Sequence, residues 1–537
     1  MSSFWEAWQP RPADLKALRT PNPHLPFPAT SPLLILPGSP VTPLHLPLFG
    51  ATCTSTAGVL APDQPLPDAA AAEDVCLFVG GPVWALAWCP HSLPHGKHAP
   101  GAAHEAAVDF LALACHPPGQ PRHTIGAPAS GPAAVQVWAL PRPGARGGKD
   151  TPLPPSLHCV LPHDGGVTWG LAWCPDPGAC LLDADPGSEP GAPGRLGLLA
   201  ACQGDGLVAV HAVPARPGPG PGPVAARARV ACLNVAALGT LPSCLDWAPA
   251  APHDTLLIGC WDGSALLLKL APSALGADGR SGPSAGAGGL RPLARYAADT
   301  LPLRGVSFFP PGENDDAGAP DPAARHTFAA AGQGGALTVW DARDPLGPAY
   351  AQLLTSGCLL GLAWTADPRG LLVACDDGAV RGVLVDARAL AQNAACNGGK
   401  VNNSFSWRGA GQGALWTLCV EPRLQLVAYG GEDGVVGVFV AGFQQDNRKR
   451  PAHHPVAGFQ FREGALHVLD PGQLAASHGL YAGKSVERLP ALKGRPFPPE
   501  AQAVTRMAWH PNAGEKWGRL ATGCWAGLVR VQTIYRR

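Results

Sequence analysis

The run Val83-Trp84-Ala85-Leu86-Ala87-Trp88 is followed by Cys89-Pro90, so its pattern is that of a short strand closed by proline. The pattern returns as Val167-Thr168-Trp169-Gly170-Leu171-Ala172-Trp173-Cys174-Pro175. Weaker copies lie at 242–249 with Trp247, 303–310 with Phe308, 358–364 with Trp364, 414–422, and 504–511 with Trp509. After each copy comes a second signal: a strand of small apolar residues, a glycine turn, and another alternating strand. Leu198-Leu199-Ala200-Ala201-Cys202-Gln203-Gly204-Asp205-Gly206-Leu207-Val208 and Leu257-Ile258-Gly259-Cys260-Trp261-Asp262-Gly263-Ser264-Ala265 show it most clearly. Similar stretches occupy 328–340, 371–383, 426–438 and 520–531, with a looser version at 110–115 and 134–138. Asp-Gly between alternating strands predicts a hairpin whose two central residues both take positive φ.

Seven units, each an inner strand followed by a hairpin, predict an all-β chain: a seven-bladed WD40-type β-propeller with long Gly/Pro-rich loop insertions. The outer strand of each blade is expected in the segment leading to the next inner strand. The last unit ends its third strand near Thr533, so its outer strand must come from the N-terminal side, at 74–79. Such an exchange closes the ring and leaves only short sheet edges.

Unit spacing is roughly 55 to 90 residues, well above the ~40–45 of a compact repeat of this kind. The excess at 141–155, 183–195, 214–224, 271–291 and 310–324 is rich in Gly, Pro and Ala and is expected as surface loop. Two longer segments stand apart. Residues 1–72 form a Pro-rich N-terminal segment, expected to be mostly irregular, with apolar islands at 33–36 and 44–49 that can pack along the ring. The propeller is assigned to 73–537, with a long insertion at about 441–500.

Composition narrows the function classes. Among 537 residues, 67 Gly and 62 Pro make up about a quarter of the chain, yet 46% of residues are hydrophobic and 16 are Trp, so a large core can be buried. Lys plus Arg (39) balances Asp plus Glu (39). A chain that grips nucleic acid unaided normally carries a basic excess, so any such role is expected to be shared with partners. The 16 cysteines sit mostly in apolar runs and include no Cys-x-x-Cys pair, which fits free thiols in a reducing compartment. Met1 to Glu6 has no basic start leading into an apolar stretch, and no apolar run reaches the ~20 residues of a membrane span. The expectation is a soluble intracellular protein.

No phosphate-cradling Gly-x-x-x-x-Gly-Lys-Ser/Thr or His-Glu-x-x-His occurs, and Gly282-Pro283-Ser284-Ala285-Gly286 lies in a Gly/Pro-rich insertion rather than on a strand-to-helix turn, so no enzyme activity, cofactor, metal or small-molecule substrate is expected. Asp205, Asp262, Asp377 and Asp433 each precede a glycine and are read as turn residues rather than acids or ligands. His91, His95, His98 and His104 share a loop without a carboxylate or Cys at ligand spacing. Placing the inner strands in register puts Trp84, Trp169, Ser243, Arg304, Leu360, Trp416 and Thr505 at equivalent starting positions, with Trp261 and Trp525 in the following turns. Trp84, Trp169, Arg304, Trp416, Trp261 and Trp525 are the candidate partner-binding residues, against the alternative that they pack the channel or the space between blades. Arg448, Lys449 and Arg450 form the compact basic run, read as a nuclear-import signal or phosphate contact against a solvated loop. Arg530, Arg536 and Arg537 admit the same readings.

Gly80-Gly81-Pro82-Val83-Trp84-Ala85-Leu86-Ala87-Trp88-Cys89-Pro90 resembles the opening blade of the WD40 subunit of transcription factor IIIC, the beta-type, B-block-binding subunit. Leu113-Ala114-Cys115-His116-Pro117-Pro118-Gly119 with His123-Thr124-Ile125-Gly126, Trp340-Asp341-Ala342-Arg343-Asp344-Pro345, and Trp509 followed by Trp517 and Gly527-Leu528-Val529-Arg530 are similar to the same family. The resemblance implies a non-enzymatic scaffold in a nuclear complex that recognises internal promoters of RNA polymerase III genes. Its partners would be the other subunits, with promoter DNA reached mainly through them, since 1–72 lacks the basic run of longer relatives. The alternative is a WD40 substrate receptor of a cullin-type ubiquitin ligase, which would use Arg343 after the Trp340-Asp341 pair.

Overall fold

The computed structural model describes residues 15–17, 30–36, 44–55, 73–90, 93–95, 106–117, 123–124, 126–142, 154–175, 195–215, 224–226, 229–270, 289–310, 326–365, 369–385, 404–407, 413–441, 453–478, 498–512, 514 and 517–535. The described residues form seven sheets, each opened by one of the seven repeated strands, in a seven-bladed β-propeller. The insertions at 183–195, 214–224, 271–291 and 310–324 fall largely outside the described residues, as do Arg448, Lys449 and Arg450.

The chain divides into two compact units, one built mainly from 84–330 and the other mainly from 27–83 and 348–537. In the first, blade 1 runs from the inner strand Val83–Trp88 through Ala106–Cys115 and Ala133–Pro141 to Ser156–His163. Blade 2 comprises Thr168–Trp173, Arg195–Gln203, Leu207–Pro214 and Arg229–Asn234. Blade 3 comprises Pro242–Trp247, Thr255–Cys260, Ser264–Leu270 and Leu290–Ala297, and blade 4 opens with Leu303–Phe308. Blade 2 has sheets on both faces, so its second strand is buried at all nine positions and shows no polar alternation. Small residues let the sheets approach: a Cβ added at Gly259 would meet Cys244, Leu303 and Val306 within 3.1 Å. Trp173, at the end of its inner strand, is buried and donates from Nε1 to the Ala87 carbonyl 3.1 Å away, tying blade 2 to blade 1.

In the second unit, blade 5 comprises Leu359–Thr365, Gly370–Cys375, Val380–Leu384 and Ser404–Trp407. Blade 6 starts Leu415–Glu421, Leu426–Gly431, Val435–Val440, and takes its outer strand His454–Arg462 from the 441–500 insertion. That insertion supplies a fifth strand, Ala465–Leu469, and the helix Pro471–His478, whose Leu474 is buried with Val435 and Leu469. The N-terminal segment is not wholly irregular. Leu33–Ile35 adds a parallel sixth strand to blade 6, burying Leu34 completely, and Ala51–Ser55 adds a strand to blade 7. Leu15–Ala17 pairs with Val224–Ala226 at the edge of blade 1.

Blade 7 bears out the expected exchange. Val504–Trp509, Trp517–Cys524 and Leu528–Tyr535 are completed by Glu73–Phe78, which pairs antiparallel to the third strand in the register Leu528↔Phe78 to Val531↔Val75. Arg530, read from sequence among surface basic residues, is instead buried there. Its Nη2 lies 2.6 Å from Asp74 Oδ2, with 2% and 3% of the two side chains exposed, and its Nη1 donates to the Leu469 carbonyl at 2.8 Å. The third strand has its neighbours on both faces, so an inward Arg must find its carboxylate within the core.

The glycine turns are where the structure corrects the sequence reading. In six hairpins the Gly N–H donates to the carbonyl three residues earlier: Gly206 to Gln203, Gly263 to Cys260, Gly335 to Gly332, Gly378 to Cys375, Gly434 to Gly431 and Gly527 to Cys524. Only the glycine has positive φ, from +73° to +95°, and none of the preceding Asp residues does. These are three-residue loops in which a turn is followed by a glycine bulge, so one left-handed position suffices rather than two. The Asp role holds: Asp205, Asp262, Asp377 and Asp433 accept from the backbone N–H two residues on, of Leu207, Ser264, Ala379 and Val435, at 3.0–3.2 Å.

The core of blade 2 holds a polar group under strain of desolvation. His211 is 5% exposed and neither ring nitrogen has a hydrogen-bond partner. Burial first, then the charges of His163 and Arg229, push its pKa down to about 3. The folded state keeps the ring neutral while the unfolded chain takes up a proton below about pH 6.5. This contribution to stability is therefore complete above pH 6.5 and is lost as pH falls toward 3, at about 1.4 kcal/mol per pH unit. Urea midpoints for His211→Leu are expected to fall less between pH 7.5 and 5 than those of the parent chain. An identical pH slope in both proteins would refute the assignment.

Candidate functional interface

Inner strands start at the end of each blade that also carries the turn between its second and third strands, because consecutive strands run antiparallel. In the first unit this end gathers an aromatic cluster. Trp84 and Trp169, at equivalent strand positions, lie edge to face with ring centroids 6.3 Å apart. Trp261, from the blade 3 turn, meets Trp169 in the same manner at 5.4 Å. Arg304, at the start of the blade 4 inner strand, sets its guanidinium carbon 5.8 Å from the centre of the Trp84 ring. Trp84 and Trp169 are 8% and 7% exposed, while Trp261 and Arg304 are half-buried. Ser243, at the matching position of blade 3, is buried and bonds through its hydroxyl to the carbonyls of Gly259 and Leu303.

Two histidines complete the cluster. His116 lies 4.9 Å from Trp84, 5.2 Å from Trp169 and 4.9 Å from His123, and His123 lies 5.4 Å from Trp169. Burial pushes the His123 pKa below its ordinary value, which favours the neutral ring among aromatic faces. Both come from the long connection between the second and third strands of blade 1. That connection drapes over blade 2 through Ala129 N–H to the Gly204 carbonyl and Gly131 N–H to the Asp164 carbonyl, each at 2.8 Å. In the sequence, His116 and His123 stand out only within the stretch that carries the family resemblance. Neither sits in a periodic strand position facing the cluster, so only the path of the loop reveals their role.

Beside Trp261 lies an open depression of about 360 Å³, lined by Gly126, Pro128, Ala236, Gly239, Thr240, Leu241, Trp261 and Asp262. Asp262 is ionised at neutral pH. Burial alone would raise its pKa, but hydrogen bonds from Ser264 and the charge of Arg295 outweigh it and hold the carboxyl below its ordinary value. Below the cluster, Asp246 ties the inner strands of blades 3 and 4, accepting from the N–H of Phe308 at 2.8 Å and the Ser307 hydroxyl at 3.1 Å. Burial raises its carboxyl to about 6 against the opposing effect of those hydrogen bonds.

In the second unit, Trp416 stands on the inner strand of blade 6 and Trp525 opens the blade 7 turn, both half-buried. Trp525 N–H donates to the Ala503 carbonyl at 2.9 Å. Arg343, in the turn after Trp340-Asp341, folds back onto its own Asp341, with Nη2 2.6 Å from Oδ2 and both side chains exposed. Of the four loop histidines, His91, His98 and His104 lie outside the described residues.

No protein-family model matches the chain. It is 29% identical over 329 residues to General transcription factor 3C polypeptide 2 of Pongo abelii, a match covering 57% of this chain and 32% of that protein. It is 30% identical over 220 residues to the Homo sapiens protein of the same name, covering 37% of this chain and 22% of that one. The matched stretch thus spans about a third or less of the curated relatives. These similarities bear out the resemblance to a transcription factor IIIC subunit that the blade 1 residues carry.

Proposed function

We propose that the chain is a non-enzymatic scaffold of a transcription factor IIIC-like complex in the nucleus, supporting recognition of internal promoters of RNA polymerase III genes through its partner subunits. What supports this most is the similarity to General transcription factor 3C polypeptide 2 in a chain folded as a propeller. Propellers offer rigid turns and strand ends on which partners dock, and a balanced charge of 39 basic and 39 acidic residues suits protein partners better than bare DNA. The aromatic cluster of Trp84, Trp169 and Trp261 with Arg304 supplies the residue types that dominate binding energy at protein interfaces. Trp416 and Trp525 are assigned to the same task on blades 6 and 7. The basic run of Arg448, Lys449 and Arg450 is read as a nuclear-import signal or a phosphate contact.

Affinity purification of the tagged chain from nuclear extract is expected to bring down polymerase III factors together with transfer-RNA gene DNA. Recovery of cullin adaptors in their place would favour the ubiquitin-ligase reading, for which the Arg343 position is the motif. Trp84→Ala and Trp416→Ala chains that melt cooperatively are expected to recover the partner subunits at least about fivefold less well, the loss typical of an interface aromatic. Full recovery with both variants would leave these tryptophans as packing residues.

A further inference from the structure

The rim around the aromatic cluster carries a chemical bias that the scaffold role alone does not require. On blades 2 and 3 of the first unit, the turns and loops at this end present Asp164, Asp205, Asp262 and Asp299, all exposed or half-buried. Among the described cations, Arg295 pairs with Asp262, and Arg304 is engaged over Trp84. Two apolar side chains stand on loops adjoining the depression's lining residues: Leu238, next to Gly239 in sequence, is 37% exposed, and Leu301 is 47% exposed. Leu301 belongs to the loop that closes over the blade 3 turn, for a Cβ on Gly263 would meet its carbonyl oxygen at 2.9 Å. An indole and a carboxylate therefore line one open cavity, with exposed leucines on the adjoining loops.

We propose that the depression beside Trp261 receives an arginine of an extended partner segment, its guanidinium against the indole and Asp262, and its aliphatic neighbours over Leu238 and Leu301. The inference rests on the scaffold reading for the existence of a protein partner and adds that partner's chemistry. A guanidinium is planar and weakly hydrated, so it can lie on an aromatic ring while its edge meets a carboxylate. Lysine offers a compact, strongly hydrated charge without that face. Asp262 is now paired with Arg295, whose side chain is 50% exposed. Such a surface pair is weak, so an incoming arginine can share or replace it at little cost. The four carboxylates attract a basic segment and repel a phosphate backbone, which selects protein over nucleic acid as the occupant.

Fluorescence anisotropy with the full chain tests this, using a fluorescein-labelled heptapeptide with a central Leu-Arg-Leu and its citrulline, lysine and glutamate counterparts. The arginine peptide is expected to bind at least about fivefold tighter than each counterpart, and to weaken as salt rises from about 50 to 300 mM. Asp262→Asn keeps a side chain able to accept the Ser264 N–H, so the turn survives; it should lower affinity about fivefold. Asp433→Asn, the same turn position on blade 6, should leave it unchanged. Equal binding of the citrulline or lysine peptide, equal losses in the two Asn variants, or tighter binding of a labelled single-stranded oligonucleotide would overturn the proposal. Failure of the two readings is separable. Polymerase III subunits recovered by a chain that ignores the arginine peptide would sink only this inference; peptide binding without those subunits would sink only the scaffold assignment.

Discussion

Replacing Arg530 with alanine is expected to lower stability by about 3–5 kcal/mol, because it strands the Asp74 carboxylate in the core without its charge partner. Arg530 is 2% exposed and gives Asp74 two contacts, from Nη2 at 2.6 Å and Nε at 3.2 Å, both on Oδ2, while its Nη1 satisfies the Leu469 carbonyl. Three segments far apart in sequence thus converge on one guanidinium: the closing strand, the last strand of the chain and the fifth strand of blade 6. Urea denaturation should show the midpoint falling for Arg530→Ala. Arg530→Met combined with Asp74→Leu should recover most of the loss, since two apolar groups leave no orphan charge. Arg343→Ala removes an exposed pair and is expected to leave the urea midpoint nearly unchanged. Deleting residues 1–79 removes the closing strand itself and should lower the melting temperature further. Unchanged melting after that deletion would contradict the role of Glu73–Phe78 in blade 7.

Gly263→Ala should be the next most damaging change, by about 3 kcal/mol or more, through two independent costs. A left-handed residue with a Cβ pays about 1–2 kcal/mol. The added carbon would also run into the Asp299 carbonyl oxygen, a backbone atom that cannot rotate away. The Asp299 N–H bonds back to the Gly263 carbonyl at 2.9 Å, so the loop is clamped from both sides. Gly239 provides the comparison: its φ is +81° against +82°, yet nothing lies within 4 Å of an added Cβ. Gly239→Ala is expected to cost only the conformational share, about 1–2 kcal/mol. Equal midpoints for the two variants in thermal or urea melts would show that the close approach at Gly263 carries no weight.

The two sites also show why some features were legible beforehand and others were not. The seven inner strands, their hairpins and the borrowed strand at 73–78 follow from local pattern, because apolar alternation and a glycine after each turn repeat at every blade. The turn geometry was misread because Asp-Gly is compatible with both a two-residue and a three-residue loop. Cross-strand register, which places the i to i+3 hydrogen bond, decides between them. Arg530 looked like any basic residue near a chain end, since burial of a charge leaves no mark in the residues beside it. Leu33–Ile35 looked like an apolar island because its partner strand lies more than four hundred residues away.

From the sequence alone came the class of the fold, the number of blades and the tryptophans that begin and end their inner strands, because each depends on periodicity within a few consecutive residues. The tertiary structure decided which of those tryptophans share a cluster, that His116 and His123 join it, and that Gly126 and Asp262 border one cavity. Those relations depend on the paths of loops between blades, and loop paths are set by close packing and hydrogen bonds between residues distant in the chain. A local pattern holds no record of such contacts.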